Sequence, residues 1–214
     1  MKKIKAVLFD MDGLMVDTEP VHLKAFNLVF KTYSKYLTEE ENAKRYISIP
    51  DIDGAKDMVV RFNLPISAEE LVQAKQEKIK QLLKNNVVAQ PGLRELLVNL
   101  KKDGYKIAIA SSSQLETIKI IIDGLKIGSL IDAIASAEEV EHGKPAPDVY
   151  LLAAEKLGVS PDACLVLEDA PKGVEAGKAA GMKVFAIPSQ YTKGQDFSHA
   201  DKLLNSLNEV LPNL

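Results

Sequence analysis

The stretch "VLFDMDGLMVDTEP", residues 7–20, ends an apolar run in a crowd of acids, Asp10, Asp12 and Asp17. Carboxylates this close repel one another, so a folded chain needs a counter-charge to gather them. Three other segments supply related chemistry. "IASSS" brings the hydroxyls of Ser111, Ser112 and Ser113, "HGKPAPD" brings Lys144, and "LVLEDAP" brings Glu168 and Asp169. Acids, hydroxyls and one lysine together suit a divalent cation and a phosphate. Mg²⁺ takes hard oxygen ligands: one or two carboxylates, waters and a substrate phosphate oxygen. A cation among the acids turns their repulsion into coordination. A carboxylate attacking a doubly charged phosphate at about 4 Å and an effective dielectric near 20 meets a repulsion on the order of 8 kcal/mol. Mg²⁺ and the Lys144 ammonium are the groups able to offset it. A carboxylate nucleophile would form an aspartyl-phosphate and split one hard displacement into two easier ones. Asp12 could then protonate the leaving alkoxide and later deprotonate the attacking water. Asp17 reads as peripheral, marking the entry to the next module.

Distant segments can meet only if the fold places them on one edge. Val-, Ile- and Ala-rich runs at 4–9, 105–110, 130–135, 163–167 and 183–187 read as strands. Helical patterns separate most of them: Pro91 opens one that ends before Gly104, Pro147 opens one that closes at Gly158, and Gly181 ends a third starting near Lys172. Such alternation predicts an α/β chain, a parallel sheet covered by helices on both faces. Right-handed crossovers then put every strand C-terminus along one edge, where open parallel sheets bind ligands. One interval breaks the rhythm. About 70 residues between the first strand and Pro91 show no convincing strand, far more than a loop. Phe26, Val29, Phe30 and Tyr33 recur there at helical spacing, and Thr38–Glu41 and Ser67–Glu70 have the capping-box form. This predicts a helical module inserted after the first strand.

The bulk numbers narrow the function classes. The 214 residues suffice for a large domain plus a small module, and 46% are hydrophobic, enough for a real core. A net charge of −3 argues against a dedicated binder of nucleic acid or anionic membranes. No apolar run is long enough to span a bilayer, and the basic N-terminus lacks a signal-peptide core. One cysteine, Cys164, permits no internal disulfide and reads as a buried structural thiol in a reducing compartment. The expectation is a cytoplasmic, monomeric protein whose partner is a small phosphorylated metabolite, with neither nucleic acid nor membrane.

"FDMDGLMVDTEP", "IASSS", "HGKPAPD" and "VLEDAPKGVEAGKAAG" resemble, in order, the four motifs of haloacid dehalogenase-like phosphohydrolases. The likeness is closest to the branch holding β-phosphoglucomutase and small sugar-phosphate phosphatases, and it extends over nearly the whole chain. It implies a Rossmann-like three-layer core at 1–16 and 87–214, with an inserted helical cap at 17–86 of the C1 type, resembling a four-helix bundle. It also implies roles. Asp10 is the nucleophile and Asp12 the acid/base, which also offers its backbone carbonyl to the metal. Ser111 and Ser112 bind the phosphoryl group and Lys144 neutralises it. Asp169 ligates Mg²⁺, with Glu168 as a direct or indirect partner. His22 matches a substrate-positioning histidine. The motif further implies a strained loop at Gly13, where glycine permits close backbone approach.

Singly, each residue has an ordinary use: strand-end Asp and Ser residues cap helices, and a lone lysine is solvated. The ensemble carries the inference. A phosphomutase of the β-phosphoglucomutase type is the alternative, but it clamps a second phosphate with arginine. "YISIPDIDGAKD" has none, carries Ser48 where relatives often have glycine, and leaves Arg61 or Lys56 as substitutes. A dehalogenase would lack the second acid. A phospho-acceptor signalling module, the non-enzymatic alternative, is shorter, has no cap, and carries its acceptor after a central strand.

Overall fold

The computed structural model describes residues 3–47, 49, 51–84 and 87–214. The chain divides into two compact units, Met1–Asp17 together with Val87–Leu214, and Thr18–Asn86.

The first unit is built on six parallel strands: β1 (Ala6–Phe9), β2 (Lys106–Ser111), β3 (Ala133–Ser136), β4 (Cys164–Glu168), β5 (Lys183–Ala186) and β6 (Lys202–Leu203). Their order is β3-β2-β1-β4-β5-β6. β1 lies between β2 and β4, with Phe9 opposite Ile109 on one side and Leu167 on the other. That register brings the residues that follow β1, β2 and β4 to the same edge. The central strands are buried on both faces, so they read as continuous apolar runs rather than alternating ones. Alternation survives as a division of labour. Ala6, Leu8, Ala108, Ala110, Val166 and Val184 pack with helices α7 (Asp148–Leu157) and α8 (Pro171–Ala179). The residues between them, such as Val7 and Ile107, point to the opposite face. Helix α5 (Leu93–Lys102) packs on β2, and α6 (Leu115–Leu125) on β3.

The strands lie where the apolar runs predict, with two adjustments. β3 begins only at Ala133, because Gly128–Leu130 forms a short 3₁₀ turn and Asp132 uses both its backbone N–H and its carboxylate on Ile107. β6 has no counterpart in the sequence reading; its two exposed residues at the sheet edge are too few to show a period. Helix α5 starts at Leu93 rather than Pro91, since Gly92 before it is left-handed at φ +82°. Gly158 ends α7 in the left-handed conformation, as its position after the periodic run predicts.

The second unit is helical: α1 (Glu19–Phe30), α2 (Glu39–Arg45), α3 (Asp51–Phe62) and α4 (Ala68–Leu83). Phe26, Phe30, Met58 and Leu71 form its core, with the Phe30 and Phe62 rings 4.8 Å apart. Both capping boxes form, Thr38 with Glu41 and Ser67 with Glu70. Ser48 lies outside the described residues. Among the described residues no helix is long and apolar enough to cross a membrane.

The chain leaves the sheet unit and returns to it at adjacent points. Val16 bridges antiparallel to Ala89, and the Gln90 N–H donates to the Met15 carbonyl at 2.8 Å. Asp17 stays with the sheet unit, where Gln190 donates to its Oδ2.

Candidate active site

Asp10 directly follows β1, and its backbone N–H donates to the Leu167 carbonyl of β4 at 3.0 Å. This bond fixes its place beside Glu168, the last residue of β4. Lys144 arrives from the loop before α7. Its ammonium donates to Asp10 Oδ1 at 2.5 Å, Glu168 Oε1 at 2.7 Å and the Ala110 carbonyl of β2 at 3.1 Å. One lysine thus joins β1, β2 and β4. Carboxylate oxygens of Asp10, Glu168 and Asp169 all lie within 4.8 Å of one another, and all three residues are buried.

A second group sits where β1 and β2 end. Ser113 Oγ donates to Asp12 Oδ2 at 2.8 Å, and Ser111 Oγ donates to the same oxygen at 3.3 Å. Ser111 Oγ in turn accepts the Ser113 N–H at 3.0 Å, and Ser136 Oγ of β3 donates to the Ser113 carbonyl at 2.8 Å. Two hydroxyls thereby hold the Asp12 carboxyl beside the Asp10 loop.

Two glycines make the crowding possible. Gly13 has φ +90°, a conformation that L side chains rarely adopt, and a Cβ there would overlap the Asp169 carboxylate. Gly173, in the first turn of α8, leaves the same kind of space for the Glu168 carboxylate.

The electrostatics follow from burial. Desolvation pushes the Asp10 carboxyl well above its usual range; Lys144 opposes this, while Glu168, Asp169 and Asp12 add to it. Burial and then the neighbouring Glu168 push Asp169 up to about 7. For Lys144 the balance is reversed. Burial lowers its pKa, but Asp10 and Glu168 outweigh that and hold the ammonium well above its ordinary value. Three carboxylates against one ammonium leave two negative charges without a partner, the charge a divalent cation would match. The donors are all oxygen, which suits Mg²⁺. The residues fit the ion.

Several contributors are not evident from sequence. Tyr150, on the first turn of α7, is fully buried and donates to Glu168 Oε1 at 2.6 Å. Thr192 donates to the Asp169 carbonyl at 2.6 Å. The only available signal for Tyr150 is a polar aromatic at a core position right after "HGKPAPD". Not every candidate joins the cluster. Ser112 is exposed, whereas its neighbour Ser111 is buried. His22 is half-buried on α1 of the helical unit, where it and Lys75 act on the Asp51 carboxyl. Cys164 is buried and burial pushes its thiol up to about 11, the inert thiol its setting predicts. A cavity of about 320 Å³ beside the Gly13 loop is lined by Asp17, Gln90, Ser189 and Gln190 without any basic residue, so it does not suit a phosphate.

The comparisons with known proteins agree with this arrangement. The family model described as haloacid dehalogenase-like hydrolase matches residues 7–187. "Protein CbbY" of Rhodobacter capsulatus is 35% identical over 212 residues, 93% of this chain and 92% of the relative. "Phosphorylated carbohydrates phosphatase" of Thermotoga maritima is 30% identical over 217 residues, 97% of this chain and 100% of the relative. The crystal structure of CbbY from Rhodobacter sphaeroides in complex with phosphate superposes with a TM-score of 0.84 at 29% identity, over 96% of each chain. With the parallel sheet and four ordered motifs already in place, these matches settle the lineage: the chain belongs to the haloacid dehalogenase-like hydrolase family, in the branch of the sugar-phosphate phosphatases.

Proposed function

We propose that the chain is a Mg²⁺-dependent phosphatase that hydrolyses small phosphorylated metabolites, sugar phosphates or nucleoside monophosphates, through an aspartyl-phosphate. The observation that carries this reading is the buried Asp10–Lys144–Glu168 ion pairing with Asp169 beside it. It supplies a nucleophile, a fixed positive charge and an uncompensated acid at one strand edge.

An Asp10 oxygen attacks phosphorus. The ester oxygen departs with the electron pair of the broken P–O bond and takes a proton from Asp12. Water then attacks the aspartyl-phosphate, Asp12 accepts its proton, and the Asp10 carboxylate is restored as inorganic phosphate leaves. Ser111 and Ser112 offer hydrogen bonds to the phosphoryl oxygens, and Lys144 balances their charge. Asp10 and Asp169, with the Asp12 backbone carbonyl, would hold Mg²⁺, which supplies positive charge for the phosphoryl oxygens when bound. By the family resemblance the helical unit is assigned as the cap, and its His22 as the candidate substrate-positioning residue. The enzyme acts as a monomer in the cytoplasm on a small-molecule partner.

Hydrolysis is favoured over phosphomutase chemistry by the ties of the available cations. The Arg61 guanidinium bonds Glu41 at 2.5 Å, and the Lys56 ammonium lies 3.4 Å from Asp53. Arg61 is thus tied to an acid, while the Lys56 pair is exposed and weak. The test is phosphate release across a panel of sugar phosphates and nucleoside monophosphates, with and without EDTA. Mg²⁺-dependent turnover on at least one class supports the reading. Turnover indifferent to chelation, or phosphorylation that stops after one event per chain, refutes it. β-Glucose 1-phosphate with its bisphosphate activator in the same panel detects mutase activity directly.

A further inference from the structure

Glu168 and Asp169 are adjacent acids at one strand end, yet their surroundings differ. An ionised carboxylate offers about four acceptor sites on its two oxygens. Glu168 has four donors. Oε1 accepts from the Lys144 ammonium at 2.7 Å and the Tyr150 hydroxyl at 2.6 Å. Oε2 accepts from the backbone N–H groups of Asp169 at 3.0 Å and Ala170 at 3.2 Å. Gly173 closes the remaining side, since any Cβ there would occupy the space of the carboxylate. Three of these donors are intrinsic to the site, the lysine and two backbone groups. The fourth is a side-chain hydroxyl that α7 delivers from a fully buried position. The Tyr150 ring also underlies the Lys144 ammonium, whose nitrogen is 4.7 Å from the ring centroid. Tyr150 therefore touches both partners of the ion pair.

We propose that Tyr150 is a positioning residue of the phosphoryl-transfer site: it commits Glu168 to the Lys144 ammonium and withholds it from the metal. Asp10 and Asp169 are then left as the metal-binding carboxylates. The Lys144 ammonium is held from one side by Glu168 and from below by the Tyr150 ring. It stays aimed at Asp10 when the phosphoryl group arrives. The proposal rests on the phosphatase reading for its kinetic consequence, but its metal-binding consequence is independent of turnover.

A double-mutant cycle of Tyr150→Phe and Glu168→Gln tests it, read in kcat, in KM, and in Mg²⁺ affinity by calorimetry on the metal-free protein. Phenylalanine keeps the ring and its packing and removes only the hydroxyl. Losing one hydrogen bond to a charged acceptor predicts a kcat about ten-fold lower with KM changed less than about two-fold. Glu168, relieved of one donor, becomes available as a ligand, so Mg²⁺ binds about three-fold tighter to Tyr150→Phe. Both effects shrink to less than about two-fold in the Glu168→Gln background, because Tyr150 acts through that carboxylate. Effects that persist undiminished in that background overturn the proposal. So does a Tyr150→Phe protein that binds Mg²⁺ more weakly with a lower melting temperature, since that is the signature of lost packing. Coupled Mg²⁺ affinities in a wild-type protein that releases no phosphate would remove the phosphatase reading and leave the Tyr150 assignment standing. Normal turnover with additive variants would do the opposite.

Discussion

Among the described residues each unit holds a buried lysine against carboxylate, and the two clusters differ in how charge is balanced. In the helical unit Lys75 is 1% exposed, bonds Asp51 Oδ1 at 2.6 Å and lies 4.6 Å from the Phe26 ring centroid. Gln76 donates to the other Asp51 oxygen at 3.1 Å. Burial pushes the Asp51 carboxyl up, but Lys75 and His22 pull it below its ordinary value. One buried ammonium meets one acid there, with His22 adding to the pull. In the sheet unit Lys144 has the same kind of setting, a carboxylate and an aromatic ring, but faces an excess of acid. There the carboxyls of Asp10 and Asp169 rise instead of falling. A lowered carboxyl marks a contact that folding has satisfied. The raised ones reflect burial first and the crowding of neighbouring acids second. Both lysines are buried; what differs is the number of acids each one faces, one at Lys75 and a cluster of three at Lys144.

The largest expected effect falls on the acid-rich cluster. Asp10→Asn should lower kcat by at least about a thousand-fold, as removal of a nucleophile does, while the melting temperature holds or rises. Steady-state phosphate release and thermal unfolding on one preparation check both. Near-normal turnover would show that the raised carboxyl is not the reacting one.

Asp169→Asn should abolish stabilisation by Mg²⁺ and change the pH dependence of the metal-free protein. The folded Asp169 carboxyl titrates at about 7 against 3.8 for the ordinary group. Its contribution to stability is therefore fully present below pH 3.8 and is lost as pH rises through about 7. The metal-free wild type should be less stable at pH 8 than at pH 5, by up to about 1.4 kcal/mol for each pH unit crossed inside that window. Asp169→Asn should make the profile shallower, leaving the part that the raised Asp10 carboxyl contributes, and Mg²⁺ should restore the wild type at pH 8 but not the variant. Equal profiles for the two proteins would remove the contrast with Asp51.

Lys75→Met tests the other half of the contrast. It strands Asp51, whose side chain is 36% exposed, so the cost is about 1–3 kcal/mol and not that of a fully buried orphan. Urea unfolding should show the loss, with kcat per folded molecule changed by less than about three-fold. Unchanged stability with lost turnover would make Lys75 the functional lysine and reverse the assignment. The smallest effect is expected for Ser113→Ala. It removes one of two hydroxyls on Asp12 and should lower kcat about three- to ten-fold, more for alkyl phosphates than for p-nitrophenyl phosphate, whose leaving group needs little protonation.

What the sequence discloses divides along physical lines. β1, β2 and β4 are visible because strands buried on both faces are continuous apolar runs, and the residues following them inherit their position from parallel register. The capping boxes at Thr38 and Ser67 are visible because a capping box is a local bond between residues three apart. Most of the hidden features are tertiary. Tyr150 sits at an apolar-periodic position of α7 and reads as core; only the packing of α7 on the sheet aims its hydroxyl at Glu168. Lys75 reads as one more solvated lysine of α4 until Asp51 and Phe26 enclose it. Gly173 reads as a helix-weakening residue, and its use appears only once the Glu168 carboxylate lies against it. β6 is hidden for another reason: a two-residue edge strand has no period to detect.

The pairing of Val16 with Ala89 has a consequence for modularity. Because the outgoing and returning segments are already hydrogen-bonded neighbours, excising residues 18–86 and joining the stumps through a tight turn would leave every strand register of the sheet unit intact. The entropy of closing a loop grows only slowly with its length. An insert at this doorway can therefore be exchanged for another without disturbing the strand order it interrupts.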